Sequence, residues 1–168
     1  MELPSDDPSQ PHLVQVVAIL TELEASDESV MNVIVRPDGW VIPDDVIEIH
    51  GISQERAMDE GIPEKDAVEQ LIEMWRGSKR VAYNEPFDAR MIRIAIKRYF
   101  DDEALLEEWK AGDRDCACHM ARKVIGGKKP PKLTEAYEHF TGKNLDDAHD
   151  ALIDARDCLD VYRKIVLS

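Results

Sequence analysis

No stretch of this chain is apolar for the roughly 20 consecutive residues that a membrane span needs, so no membrane-embedded segment is expected. The Met-Glu-Leu-Pro start lacks the basic and apolar regions of a secretory signal. Cysteine is scarce. Three residues, an odd number without framework spacing, exclude a disulfide scaffold and suit a reducing cytoplasm. Cys116, Cys118 and His119 lie close together, but no second ligand pair follows at zinc-site spacing, so they read as ordinary thiols near a strand. A glycine-rich phosphate loop and a nucleophile elbow are both missing, which leaves a small-molecule α/β enzyme with little support. Basic residues are in deficit, 21 against 35 acidic, for a net charge of -14. Such a chain repels polyanions at long range and does not coat nucleic acid through a basic surface. It is still compatible with a nuclease whose metal ions supply positive charge locally.

What is present reads as a folded domain. The 168 residues are 43% hydrophobic with a mean hydropathy of -0.40. We expect one domain, with residues 1–12 as a loop rich in Pro, Asp and Ser and residues 13–168 as its core. "LVQVVAILTEL" and "SVMNVIVRP" are Val/Ile-rich runs separated by "EASDE", the pattern of a strand hairpin. "PDGW" is a turn, and Pro43 suits the first turn of a short helix in "IPDDVIEIHGIS". "IPEKDAVEQLIEMWRG" is a helix, with Ala67, Leu71 and Met74 on one face. "RVAYN" is a strand running into the helix "EPFDARMIRIAIKRYF", and "DEALLEEWKAG" is a further helix. "DCACH" reads as a short strand, "KVIGGKKPPK" as a mobile basic loop, and "LTEAYEHFTG" as a helix closed by Gly142. Strands first, then strands alternating with helices, predict an α/β or α+β sheet with helical cover.

Two carboxylates sit where apolar side chains are expected. In the last helix, "ALIDARDCLDVYRKIVLS", Asp154 falls in register with the stripe Ala151, Cys158, Val161 and Ile165. A buried carboxylate is costly unless it is paired, hydrogen-bonded or bound to metal; an Asp at the stripe's edge, leaning into water, fits the same pattern. Asp88 in "YNEPFDARMI" is followed by Ile92, Ala95 and Tyr99 at helical spacing, although acids are also favoured in a first helical turn by the dipole. Asn84 and Phe87 add an amide and a ring beside it, where a strand gives way to a helix, the usual place for α/β sites. His149 precedes the last helix, five residues ahead of Asp154. That spacing suits a general base beside a metal-bound carboxylate.

Together these segments resemble a known family. "NEPFD" and "HDALIDA" look like the second and third motifs of the DEDDh 3′→5′ exonucleases. "EIHGIS" is similar to their I-H-G-I-[ST] segment, "PPKLTEAYEHFTG" to the approach to their last motif, and "IVRPDGW" fits as well. The resemblance runs from about Pro4 to the C-terminus. It implies an RNase H-like α/β fold, a mixed central sheet flanked by helices, and metal-dependent hydrolysis of phosphodiester bonds at single-stranded DNA or RNA 3′ ends. Carried over by position, Asp154 binds metal directly, Asp88 holds the metal site partly through water, and His149 is the base. His50, Gly51 and Ile52, with Asn84, lie beside the terminal nucleotide, and Phe87 anchors its loop in the core. Hard oxygen ligands select Mg²⁺ or Mn²⁺, two ions about 3.5–4 Å apart in this chemistry.

One departure stands out. The family's first motif, D-x-E-T-T-G on the central strand, is not in the chain. In one alignment Glu2 takes the place of its Glu, with Leu3-Pro4-Ser5 replacing T-T-G; in the other, which we favour, the whole motif precedes Met1. Asp6 and Asp7 are weak candidates to replace the acids. Without that strand, "LVQVVAIL" has an unpaired edge. The alternative expectation is a catalytically impaired relative that binds nucleic acid or a basic protein partner. Family members without other domains are often homodimers.

Overall fold

The structure is a computed structural model and describes residues 9–145 and 150–168. Glu2, Asp6, Asp7 and His149 lie outside the described residues, so the expectations on them are carried no further by the coordinates.

The Val-rich runs form the expected hairpin. β1 (Gln15–Thr21) and β2 (Glu28–Arg36) pair antiparallel from Gln15↔Ile34 to Thr21↔Glu28. Two short helices follow, α1 (Asp44–His50) and α2 (Gln54–Glu60). The chain then returns as β3 (Ile62–Pro63), parallel to the end of β2. Sequence periodicity anticipated neither α2 nor β3, and the close approach that pairs β3 with β2 depends on Gly61. A Cβ there would lie 2.3 Å from the Ala57 carbonyl oxygen and 2.5 Å from the Arg36 amide nitrogen. Only glycine lets the end of α2 press against β2 closely enough to start a strand.

The second half alternates. α3 (Glu64–Trp75), β4 (Arg80–Ala82), α4 (Glu85–Tyr99), α5 (Glu103–Ala111) and β5 (Arg114–Cys116) lead to α6 (Ala117–Ile125), α7 (Leu133–Thr141) and α8 (Ala151–Leu167). β4 and β5 pair in parallel, register Ala82↔Cys116. Two expectations need correction here. "DCACH" is a strand only to Cys116, and "KVIGGKKPPK" is helical to Ile125, so the basic loop begins at Gly126. The helix wins because Ala117, Cys118 and Ala121 bury one face, against α7 and α8.

Among the described residues the sheet is in two pieces, β1-β2-β3 and β4-β5, and no strand joins β1 to β4. Among the described residues β1 is therefore a terminal strand of its sheet. The main core fills the space between the hairpin and the helices. Val16, Met31 and Val35 meet Ala67, Val68 and Ile72 of α3, Ile92, Ala95 and Ile96 of α4, and Trp109 of α5. α8 is fastened across the hairpin by two arginines. Arg163 donates to the carbonyls of Glu22 (2.8 Å) and Ala25 (3.0 Å), and Arg156 pairs with Glu28. No described helix is long and apolar enough to cross a membrane.

Candidate active site

The segment His50-Gly51-Ile52 is a turn between two helices. Gly51 ends α1 in the left-handed conformation, φ 69°, and its amide donates to the Ile47 carbonyl at 2.7 Å. Ser53 then caps α2, its hydroxyl accepting from the Arg56 amide at 3.1 Å. Ile52 is buried against Ile42 and Ala57, which pins the turn and leaves His50 exposed. His50 and Ile52 line an open cleft of about 390 Å³ with Gln15, Asn32, Arg56 and Asp150. Gly51, between these two lining residues, gives the turn its backbone shape.

Asp150, which sequence reasoning passed over, is the N-cap of α8. Its Oδ1 accepts from the amides of Leu152 (2.9 Å) and Ile153 (3.1 Å). An Asp just ahead of an apolar helical run is the signal that would have found it. Asp154 lies one turn further on, half-buried, its amide donating to the Asp150 carbonyl at 2.9 Å. It sits on the edge of the buried stripe; the fully buried acid of α8 is Asp157, 7% exposed. Burial, and then the charges of Asp160 and Asp154, raise the carboxyl pKa of Asp157.

Asp88 is in the first turn of α4, its amide donating to the carbonyl of Asn84 at 3.3 Å. Asn84 is the exposed N-cap and makes no side-chain cap. The Asp88 residue reaches solvent, yet its carboxyl is crowded enough that burial, then the charge of Glu85, pushes its pKa up to about 6. No described basic side chain forms an ion pair with Asp88. Glu85, itself buried, takes the nearby cation instead: Arg80 Nε lies 2.8 Å from its Oε1.

Phe87 corrects the reading. It is 56% exposed and anchors nothing. The buried side of this turn holds Glu85 and Ala89, two residues away on either side, which puts Phe87 on the opposite flank.

α8 links these parts. Cys158, one turn past Asp154, is buried, and its thiol is pushed up to about 12 by burial first and then by the charge of Asp88. Asp150, Asp154 and Cys158 thus form a line of successive turns. It runs from the cleft beside His50 to the neighbourhood of Asp88. A carboxylate crowded by burial and a like charge is the donor chemistry a hard cation satisfies. Among the described residues, the grouping of three close metal-ligating side chains lies elsewhere, at Cys116, Cys118 and His119.

With that geometry in hand, the chain compares as follows with known proteins. The sequence model of the RNase_T family, described as exonuclease, matches residues 1–162. No curated protein matches the chain significantly. Among solved structures, one of Exonuclease X in complex with 5′ overhanging duplex DNA superposes with a TM-score of 0.61 at 21% identity. The match covers 94% of this chain and 84% of that one, and it shows the shared RNase H-like fold.

Proposed function

Since the chain belongs to the RNase_T exonuclease family, we propose that it removes nucleotides from the 3′ ends of nucleic acid strands by metal-dependent hydrolysis. The observation that carries the reading is the line along α8, which brings Asp154 between the His50 cleft and Asp88. Asp88 and Asp154 hold Mg²⁺ or Mn²⁺. A bound cation supplies positive charge for the phosphate oxygens and lowers the pKa of water. His149 takes the proton from the attacking water. The terminal nucleotide lies against His50 and Ile52 and reaches toward Asn84.

Local charge answers the long-range repulsion of a -14 chain. Exposed Lys128, Lys129 and Lys132 occupy the loop between α6 and α7. The Tyr83 hydroxyl donates to the Pro131 carbonyl, tying that loop to the residue before Asn84. The exposed Phe87 ring next to Asp88 offers a stacking surface for an unpaired base. Because Exonuclease X is seen on a 5′ overhanging duplex, a recessed 3′ end joins single strands as a substrate to try.

The test is hydrolysis of 5′-labelled oligonucleotides, single-stranded and recessed, by this chain with Mg²⁺ or Mn²⁺. A ladder shortening from the 3′ end, abolished by chelator and lowered at least about 100-fold in Asp154→Asn and Asp88→Asn, is the expected result. Folded protein that cleaves nothing would overturn the proposal in favour of a non-catalytic binding module, and variants as active as the parent would overturn the assignment of Asp88 and Asp154 to the site.

A further inference from the structure

Beside the proposed nuclease site, and independent of it, lies a second constellation of a different chemistry. Cys116 is the last residue of β5 and the N-cap of α6; Cys118 and His119 follow in that helix's first turn. The two sulfurs are 3.5 Å apart, and ligand atoms of all three residues lie within 4.8 Å of one another. A tetrahedral zinc with Zn–S bonds of about 2.3 Å requires sulfurs roughly 3.8 Å apart. The thiols therefore stand close to that spacing without any movement of the backbone.

The backbone holding them is itself fixed. Cys116 is in register with Ala82 across the parallel pair, and the Cys118 amide donates to the Tyr83 carbonyl at 2.8 Å. The Cys116 thiol donates to the same oxygen, 3.6 Å away. Cys118 is buried, Cys116 half-buried, and His119 exposed, so an ion has a route in from solvent past the imidazole. From sequence these residues have no second pair at zinc-site spacing. The fold supplies three converging donors instead, the number that zinc sites with a water as fourth ligand use.

We propose that Cys116, Cys118 and His119 form a binding site for a thiophilic divalent cation, Zn²⁺ by donor set. Thiolate and imidazole select Zn²⁺ over Mg²⁺, whereas the carboxylates of Asp88 and Asp154 have the opposite preference. Binding displaces two thiol protons to solvent, forms two Zn–S bonds and one Zn–N bond, and oxidises nothing. Loading also removes the Cys116 S–H donor from the Tyr83 carbonyl and ties the end of β5 to α6 through metal bonds, directly behind the strand that leads to Asn84.

Cobalt serves as the probe. Reduced full-length protein, freed of metal by chelator, is titrated with Co²⁺ and then with Zn²⁺. The expected result is uptake of one Co²⁺ per chain with a near-ultraviolet thiolate-to-cobalt charge-transfer band, bleached by one equivalent of Zn²⁺. Cys116→Ser and Cys118→Ser abolish the band, and His119→Ala weakens Co²⁺ affinity about tenfold or more. Cys158→Ser and Asp88→Asn keep it, separating this site from the neighbouring thiol and from the hard-cation site. Zn²⁺ also shields two of the three thiols from a thiol reagent, a readout that needs no variant. Folded, reduced protein without the band overturns the proposal, as does a band that survives both Cys116→Ser and Cys118→Ser or is lost in Cys158→Ser.

Discussion

Two acids at the starts of helices divide the molecule. Glu64 opens α3 with only 4% of its surface exposed, and it is surrounded by donors. Its Oε1 accepts from the Leu13 amide at 3.1 Å; its Oε2 lies 2.8 Å from both His12 Nδ1 and the Tyr99 hydroxyl. Arg98 stands 3.6 Å away and reaches on to the carbonyls of Gln10 (3.1 Å) and Pro11 (3.2 Å). His12 stacks on Trp40 with centroids 4.3 Å apart. Asp88, in the first turn of α4, has far less: a hydrogen bond from its own backbone amide lowers its pKa, while burial and the like charge of Glu85 outweigh that bond and raise it. The first acid stitches residues 10–13 to the body of the domain. The second carries a carboxyl whose pKa is raised, a pattern common at functional sites.

The sharpest way to break the comparison is Glu64→Ala. It strands Arg98 and the Leu13 amide in a buried place, and we expect a loss of about 3–5 kcal/mol, read as the shift in the urea midpoint. A loss under about 1 kcal/mol would mean that the network holds without its centre. Phe87→Ala should leave stability nearly unchanged while raising KM for a single strand roughly tenfold, since stacking on one base contributes about 1–3 kcal/mol. An unchanged KM would remove the ring from the substrate path.

The smallest effect carries the sign that separates the two acids. Asp88 binds its proton more tightly in the folded state, pKa about 6 against an ordinary 3.8. Between those values the folded chain holds more protons than the unfolded one, so stability falls as pH rises through that window and stays lowered above it. Asp88→Asn abolishes that fall. In chelator at neutral pH the variant should match or exceed the parent by up to about 0.5 kcal/mol, kept small because solvent screens the exposed side of the residue. Denaturation midpoints on either side of the window decide it. A destabilised Asp88→Asn would make Asp88 a structural acid like Glu64.

How much of this was readable beforehand follows from what each signal measures. The hairpin, α3, α4 and α8 came from periodicity, because each buries one face and the pattern records it. The pattern put Asp154 and Asp88 on such faces. Asp154 lies at the edge of its stripe and Asp88 is exposed, because the first turn of α4 buries Glu85 and Ala89 instead. Their neighbours in "NEPFD" and "HDALIDA" gave the family that the match over residues 1–162 supports. Phe87 misled, since ring size says nothing about which flank of a first turn faces the core. β3 was invisible because it forms where Gly61 lets the chain press against Arg36, 25 positions away (61 less 36), whereas α2 is too short for its periodicity to show although Ser53 caps it locally. Glu64 gave no sign of its role, its partners being spread from residue 12 to residue 99.

Sequence alone thus determined most of the local elements, the acidity and the family motifs that single out Asp88 and Asp154, all of which depend on residues near one another in the chain. The tertiary structure decided which acid is satisfied and which is left crowded. It also brought the buried thiol of Cys158, on α8, close enough to Cys116 and Cys118 for their charges to act on it. Those outcomes rest on distances between segments brought together by the core, and no local pattern encodes such a distance.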